Sequence, residues 1–179
     1  GNGIVEEQDM GSRRHGAGNG DPPPLAARQF RRQPLGVVGQ PDEAQQKLMA
    51  MNVAQAEQDL VGAVDYVAER AGASEVGSTG YCIGGALCLY AATANPKVAA
   101  SSSFYYVFPH GKPEWSNIEG PVLMHFGTND DFIPVSDAEA LVAEIKRAGV
   151  DVVAEFYEDA GHAFCNTANR LGTYNESYA

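Results

Sequence analysis

The turn Gly80-Tyr81-Cys82-Ile83-Gly84-Gly85 joins a stretch that reads as a strand, Glu75-Val76-Gly77-Ser78-Thr79, to one that is apolar on every side, Ala86-Leu87-Cys88-Leu89-Tyr90-Ala91-Ala92, as a buried helix would be. Glycines two before and two after Cys82 let the backbone take a strained turn that lifts one side chain clear, the geometry of a nucleophile elbow with Cys in place of Ser. Cys82 then stands at a helix N-terminus, where the dipole and the unpaired amide N–H groups favour the thiolate. On these six residues alone, a glycine-rich strand-to-helix turn with a buried thiol reads equally well.

The chain around the turn repeats its alternation. Helical patterning begins at Pro41-Asp42-Glu43, and a second helix carries Leu60, Val64, Val67 and Ala71 on one face and ends at Gly72. After the helix that follows Cys82, Asn95-Pro96 is a stop, and Val98 to Tyr106 reads as a strand running into a loop with His110, Pro113 and Trp115. Pro121 to Gly127 is short, continuous and apolar, as expected of a strand buried on both faces of a parallel sheet. Ser136-Asp137-Ala138-Glu139 has the form of a capping box opening a helix with Leu141, Val142 and Ile145 inward and Gly149 at its end. Val152 to Tyr157 is the next strand. This order predicts an α/β fold, a parallel sheet with crossover helices whose C-terminal strand ends share one edge, the edge along which such sheets place their chemistry.

Residues 1–41 read differently. They hold 8 Gly and 5 Pro with five Arg against four acids, whereas residues 42–179 carry 7 basic and 19 acidic groups. No stripe or alternation runs through them, so a divergent, disordered segment is expected there, ahead of a partial α/β domain over 42–179. The net charge of -11, with no cluster of Lys and Arg outside the first 41 residues, argues against a nucleic-acid partner. No apolar run approaches the roughly 18 residues of a membrane span and no signal-peptide layout opens the chain, so a cytoplasmic, non-membrane protein is expected. Three cysteines without a Cys-x-x-Cys pair predict neither a disulfide framework nor a structural zinc site, and Cys82, Cys165 and His162 lack metal-ligand spacing. Cys88 reads as a small core residue. No metal site is expected on this spacing, and composition leaves the oligomeric state open.

Three polar groups follow strand ends: Cys82 at the turn, Asp130 or Asp131 after the Pro121 strand, and His162 after the Val152 strand. Nucleophile, acid and histidine in that order, each on its own loop, form the chain order of a hydrolase triad in an α/β sheet. An imidazole can take the thiol proton, a carboxylate can orient the imidazole, and the thiolate can attack a carbonyl, with the Ile83 N–H as an oxyanion donor. Each member alone has a bland reading, as a turn aspartate or a loop histidine. His125, inside an apolar strand, reads as a core residue.

From about residue 42 onward the chain resembles the dienelactone hydrolase family of the α/β-hydrolase superfamily. The resemblance rests on Gly80-Tyr81-Cys82-Ile83-Gly84-Gly85, on Gly127-Thr128-Asn129-Asp130-Asp131-Phe132-Ile133-Pro134 and on Phe156-Tyr157-Glu158-Asp159-Ala160-Gly161-His162-Ala163-Phe164. It implies a Cys82–Asp130–His162 triad, selects Asp130 over Asp131, and implies cleavage of small esters or lactones through an acyl-thioester without a metal or organic cofactor. Where dienelactone hydrolases proper carry an Arg that binds the substrate carboxylate, this chain has Asn166, so the resemblance does not extend to dienelactone itself as substrate. The family's early strands, with a Glu that partners the resting Cys and a second oxyanion donor, have no counterpart in residues 1–41, and a final helix would be expected after Ala179. The competing expectations are a truncated, catalytically silent homologue that at most binds a partner, and a redox sensor that pairs Cys82 with Cys165.

Overall fold

A computed structural model describes residues 41–179. Apart from Pro41, the segment expected to diverge over residues 1–41 lies outside the described residues. The elements are α1 (Pro41–Met49), α2 (Val53–Ala71), β1 (Val76–Tyr81), α3 (Ile83–Ala94), β2 (Val98–Phe104), a 3-10 turn (Trp115–Asn117), β3 (Val122–Gly127), α4 (Val135–Arg147) and β4 (Val152–Tyr157). The four strands form one parallel sheet in the order β1-β2-β3-β4. α3 crosses over from β1 to β2 and α4 from β3 to β4, as the expected α/β class requires, whereas β2 reaches β3 through a loop that holds only the 3-10 turn.

Local chemistry sets the helix ends. Asn52 caps α2 by accepting from the Gln55 N–H at 3.1 Å, and Gly72 closes it in the left-handed region at φ 63°, donating to Ala68 and Glu69 carbonyls. The start of α4 differs from the expected capping box. The helix opens at Val135, because the Pro134 carbonyl already accepts from Asp137 and Ala138, which places Ser136 inside the first turn with no cap to make. β2 is also shorter than expected. It stops at Phe104 because Tyr105 turns the chain at φ 38°.

The strand pleat sends Val122, Met124 and Phe126 to one face, where they meet Leu89, Ala92, Leu141 and Ile145 from α3 and α4 in one apolar core. Met124, Phe126, Leu89 and Ile145 are fully buried. Cys88 belongs to this core, its Sγ near the Gly85 carbonyl at 3.1 Å, and burial pushes its thiol pKa up to about 12. On the opposite face Tyr81, Phe104, His125 and Tyr157 form a row across all four strands, with Phe104 and His125 stacked at 4.0 Å between ring centres. His125 is held there by Ser102 Oγ at 3.2 Å and the Tyr157 hydroxyl at 2.8 Å, which makes it the buried structural histidine the strand pattern suggested. Among the described residues, no helix is long and apolar enough to cross a membrane.

Candidate active site

The parallel sheet brings the C-terminal ends of β1, β3 and β4 to one edge, and each carries one member of the expected constellation. Cys82 follows β1 directly and is the N-cap of α3, with φ 58° and ψ -122°. A non-glycine residue at positive φ is strained, and here the elbow is over-determined by its surroundings. The Cys82 N–H donates to the Phe104 carbonyl at 3.0 Å, and the Cys82 carbonyl accepts from Gly85 at 2.9 Å. Two glycines make the turn sterically feasible, and they are not quite the expected pair. A Cβ on Gly80 would lie 1.8 Å from the Gly84 carbonyl oxygen, and one on Gly85 would lie 2.7 Å from the Phe104 carbonyl oxygen, whereas a Cβ on Gly84 meets nothing within 4 Å.

That contrast gives a prediction about stability. Gly80→Ala forces backbone against backbone, so thermal denaturation should show a loss at the upper end of overpacking costs, about 3 kcal/mol. Gly84→Ala, inside the first turn of α3, should be neutral or stabilising by up to about 1 kcal/mol, the ordinary gain of Ala over Gly in a helix. Equal effects at the two positions would contradict the elbow geometry.

The acid and the histidine meet. Asp130 Oδ2 accepts from His162 Nδ1 at 2.9 Å, and both side chains are buried. Asp130 Oδ1 is occupied by the Phe132 N–H at 2.7 Å and the Ile133 N–H at 3.1 Å, so the carboxylate is fixed from both sides. Asp131 points outward and is exposed. The two loops are stitched together by the Asn129 N–H to the Ala160 carbonyl at 3.0 Å and the Asp159 N–H to Thr128 Oγ1 at 2.9 Å. Behind the histidine, the Thr173 hydroxyl donates to the His162 carbonyl, and the Asn175 N–H reaches Phe164 at 2.9 Å.

His162 Nε2 is buried and has no hydrogen-bond partner among the described residues. A buried imidazole nitrogen left unpaired is costly unless it has a task. The neighbouring His162 ring, reinforced by the Ile83 N–H, holds the Cys82 thiol below its ordinary range against the opposing effect of burial. No sulfur–nitrogen hydrogen bond joins the two side chains. Burial alone would favour neutral His162, but the Asp130 hydrogen bond, the nearby Cys82 thiol and the Asp130 charge outweigh it and push its pKa up to about 9. Burial also disfavours the charged Asp130, and the His162 and backbone hydrogen bonds overcome it and hold the carboxyl below its usual range. His162 thus stabilises the fold fully below the free imidazole range, and this contribution is lost as pH rises through about 9.

Two residues without an expected role complete the surroundings. The Tyr105 ring packs edge-on against His162 at 5.0 Å and against Phe164 at 5.4 Å, brought there by its positive φ. Phe132, inside the quoted aspartate motif, lies 4.6 Å from the His162 ring and is 62% exposed. A large aromatic two residues after the acid was the available signal for Phe132, whereas nothing in the sequence marks Tyr105 as a left-handed residue. Asn166 sits on the surface, its Oδ1 accepting from the Ala168 N–H at 3.0 Å. All three cysteines are unpaired. Among the described residues, no group of three or more His, Cys, Asp or Glu is arranged to hold a metal ion.

Comparison with known proteins agrees with this architecture. The chain is 29% identical over 148 residues to a carboxymethylenebutenolidase of Pseudomonas putida, covering 78% of this chain and 62% of that protein. It is 32% identical over 99 residues to a carboxymethylenebutenolidase of Rhodococcus opacus, covering 49% of this chain and 38% of that one. The crystal structure of a candidate dienelactone hydrolase from Klebsiella pneumoniae superposes with a TM-score of 0.60 at 25% identity, over 74% of this chain and 60% of that one. The chain therefore spans less than two thirds of the length of these relatives. The family model described as the dienelactone hydrolase family matches residues 26–179, reaching back into the stretch that reads as divergent. With most of its length matched by that model and with an α/β-hydrolase-type sheet, the chain belongs to the dienelactone hydrolase family.

Proposed function

We propose that the chain hydrolyses small carboxylic esters or lactones with Cys82 as nucleophile, His162 as proton carrier and Asp130 as its orienting carboxylate. The observation that carries this reading is the unpaired, buried His162 Nε2, held on its far side by Asp130 and set beside a cysteine on a strained elbow. The Cys82 thiolate adds to the ester carbonyl carbon, and the carbonyl π electrons move to oxygen. The Ile83 N–H, next to the nucleophile at the start of α3, donates to that oxyanion. Collapse expels the alkoxide, which takes the proton from His162 Nε2 and leaves an acyl-thioester on Cys82. Water then gives a proton to His162 and adds to the thioester. Collapse of this second intermediate releases the acid and restores the thiolate and imidazolium.

The family supplies the hydrolase class, and the carboxymethylenebutenolidase names of relatives point to ester or lactone substrates. No group in the proposed cycle is a metal or organic cofactor. A reducing compartment such as the cytoplasm suits three unpaired cysteines, one of them the nucleophile.

The pH dependence tests this reading. Because Cys82 is lowered and His162 raised, the thiolate–imidazolium pair occupies the range between them, and its two apparent pKa values belong to the pair. With an alkyl ester, whose leaving group needs a proton, kcat/KM should rise through the lowered thiol pKa and fall as pH passes about 9. A rate that climbs steadily past pH 10, as simple hydroxide attack or an unperturbed thiol would give, would contradict the ion pair.

A further inference from the structure

An open cavity of about 500 Å³ lies between α4 and the loop that follows β2, and no step of the proposed cycle uses it. Cys82, Asp130 and His162 do not line it, but two residues of its wall touch Cys82 and His162. Val107, in its wall, donates its N–H to the Cys82 carbonyl at 3.5 Å, and Phe132, also in its wall, lies 4.6 Å from the His162 ring. Phe108, Pro109, Ile133 and Ala140 continue the lining, which is mostly apolar. Its charged groups are Lys112, Glu144 and Asp137. Lys112 is already committed to Glu144, whose other oxygen accepts from Trp115 Nε1 at 2.9 Å, so this ion pair braces the loop against α4. Among the described residues of its lining, what is left is one acid, Asp137, and no cation free to receive a carboxylate.

Resting on the ester-hydrolase reading, we infer that this cavity receives the substrate's apolar group, and that the chain acts on neutral esters with a sizeable alkyl or aryl substituent rather than on substrates with a second carboxylate. A volume of this size falls within the range of pockets that bury small organic ligands, and an apolar lining with a few polar groups at the rim is their usual composition. The surface position of Asn166 agrees, since it presents no cation to a substrate acid.

The test uses thiol-reactive probes, so it does not depend on turnover. Purified protein is treated with N-ethylmaleimide, N-hexylmaleimide or 6-maleimidohexanoate, and labelling of Cys82 is timed by peptide mass spectrometry, each rate divided by that of a free thiol. N-hexylmaleimide should label Cys82 about tenfold faster than the ethyl reagent, as expected if about two of its additional methylenes are buried. The carboxylate reagent should lose that gain. In Ala140→Phe, a substitution at an exposed position of the cavity wall, the hexyl-to-ethyl ratio should fall close to one. A hexyl reagent no faster than ethyl, a carboxylate reagent as fast as hexyl, or a gain that survives Ala140→Phe would overturn the assignment. Failure of the hydrolase reading would appear separately, as normal chain-length selectivity at Cys82 without ester turnover.

Discussion

Cys82→Ala should reduce ester turnover to background, a loss on the order of a millionfold where removal of a nucleophile disables the whole catalytic unit. The reason is geometric as well as chemical. Cys82 alone occupies the elbow, at φ 58°, with its thiol held below the ordinary range by His162. The other two thiols face the opposite pressure: burial pushes Cys88 up to about 12 and also raises Cys165. Cys88→Ala should therefore leave kcat/KM nearly unchanged and cost about 1 kcal/mol in chemical denaturation, the loss of a small buried side chain. Ala at position 82 removes only a thiol from a half-buried site, so the variant should fold and its circular dichroism should match that of the parent. Retained activity in the folded variant would remove cysteine from the mechanism.

Asp130→Asn should lower kcat by about 10⁴-fold, the scale seen when an orienting aspartate is replaced by its amide in a serine protease. The hydrogen bonds around Asp130 say why. Its Oδ1 accepts from two backbone N–H groups, so in the variant the amide oxygen must stay there and the amide nitrogen must face His162 Nδ1. A donor facing the ring forces Nδ1 to accept, which puts the proton on Nε2 and leaves no lone pair to receive the thiol proton. The imidazolium also loses its negative neighbour. Because both loop hydrogen bonds survive, the melting temperature should change little. Asp131→Asn, at an exposed position on the same loop, should leave kcat within about twofold, as surface substitutions away from such features usually do. Steady-state kinetics on the two variants distinguishes them, and a reversal would shift the acid by one residue.

Much of this arrangement could be read from the chain because parallel sheets encode their strands in short apolar runs. Val122 to Phe126 announces itself as a strand of the parallel sheet, so its successors Asp130 and Asp131 fall at the sheet edge, but the expectation of burial on both faces fails at Leu123, which is exposed on the face away from α3 and α4. What the sequence left open depends on contacts between segments distant in the chain. Gly85 is required by the Phe104 carbonyl across the turn, whereas Gly84, which has the expected spacing, borders open space. Ser136 and Glu139 match a capping pattern, yet the carbonyl of Pro134 starts the ladder earlier. Tyr105 ends β2 early by taking a conformation that tyrosine rarely adopts, and that bend carries its ring onto His162. The choice of Asp130 over Asp131 came from the family motif, and the hydrogen bond to His162 is its structural counterpart.

The most direct measurement is a rapid-quench titration with p-nitrophenyl acetate at near-stoichiometric concentration, followed by acid quench and peptide mapping. The thiolate mechanism requires a burst of about one nitrophenolate per chain, an acetyl group on the Cys82 peptide in the same amount, and slower loss of that acetyl as hydrolysis proceeds. Absence of a burst, or acetylation spread over lysines and unchanged in Cys82→Ala, would contradict an acyl-thioester and with it the assignment of Cys82 as the nucleophile.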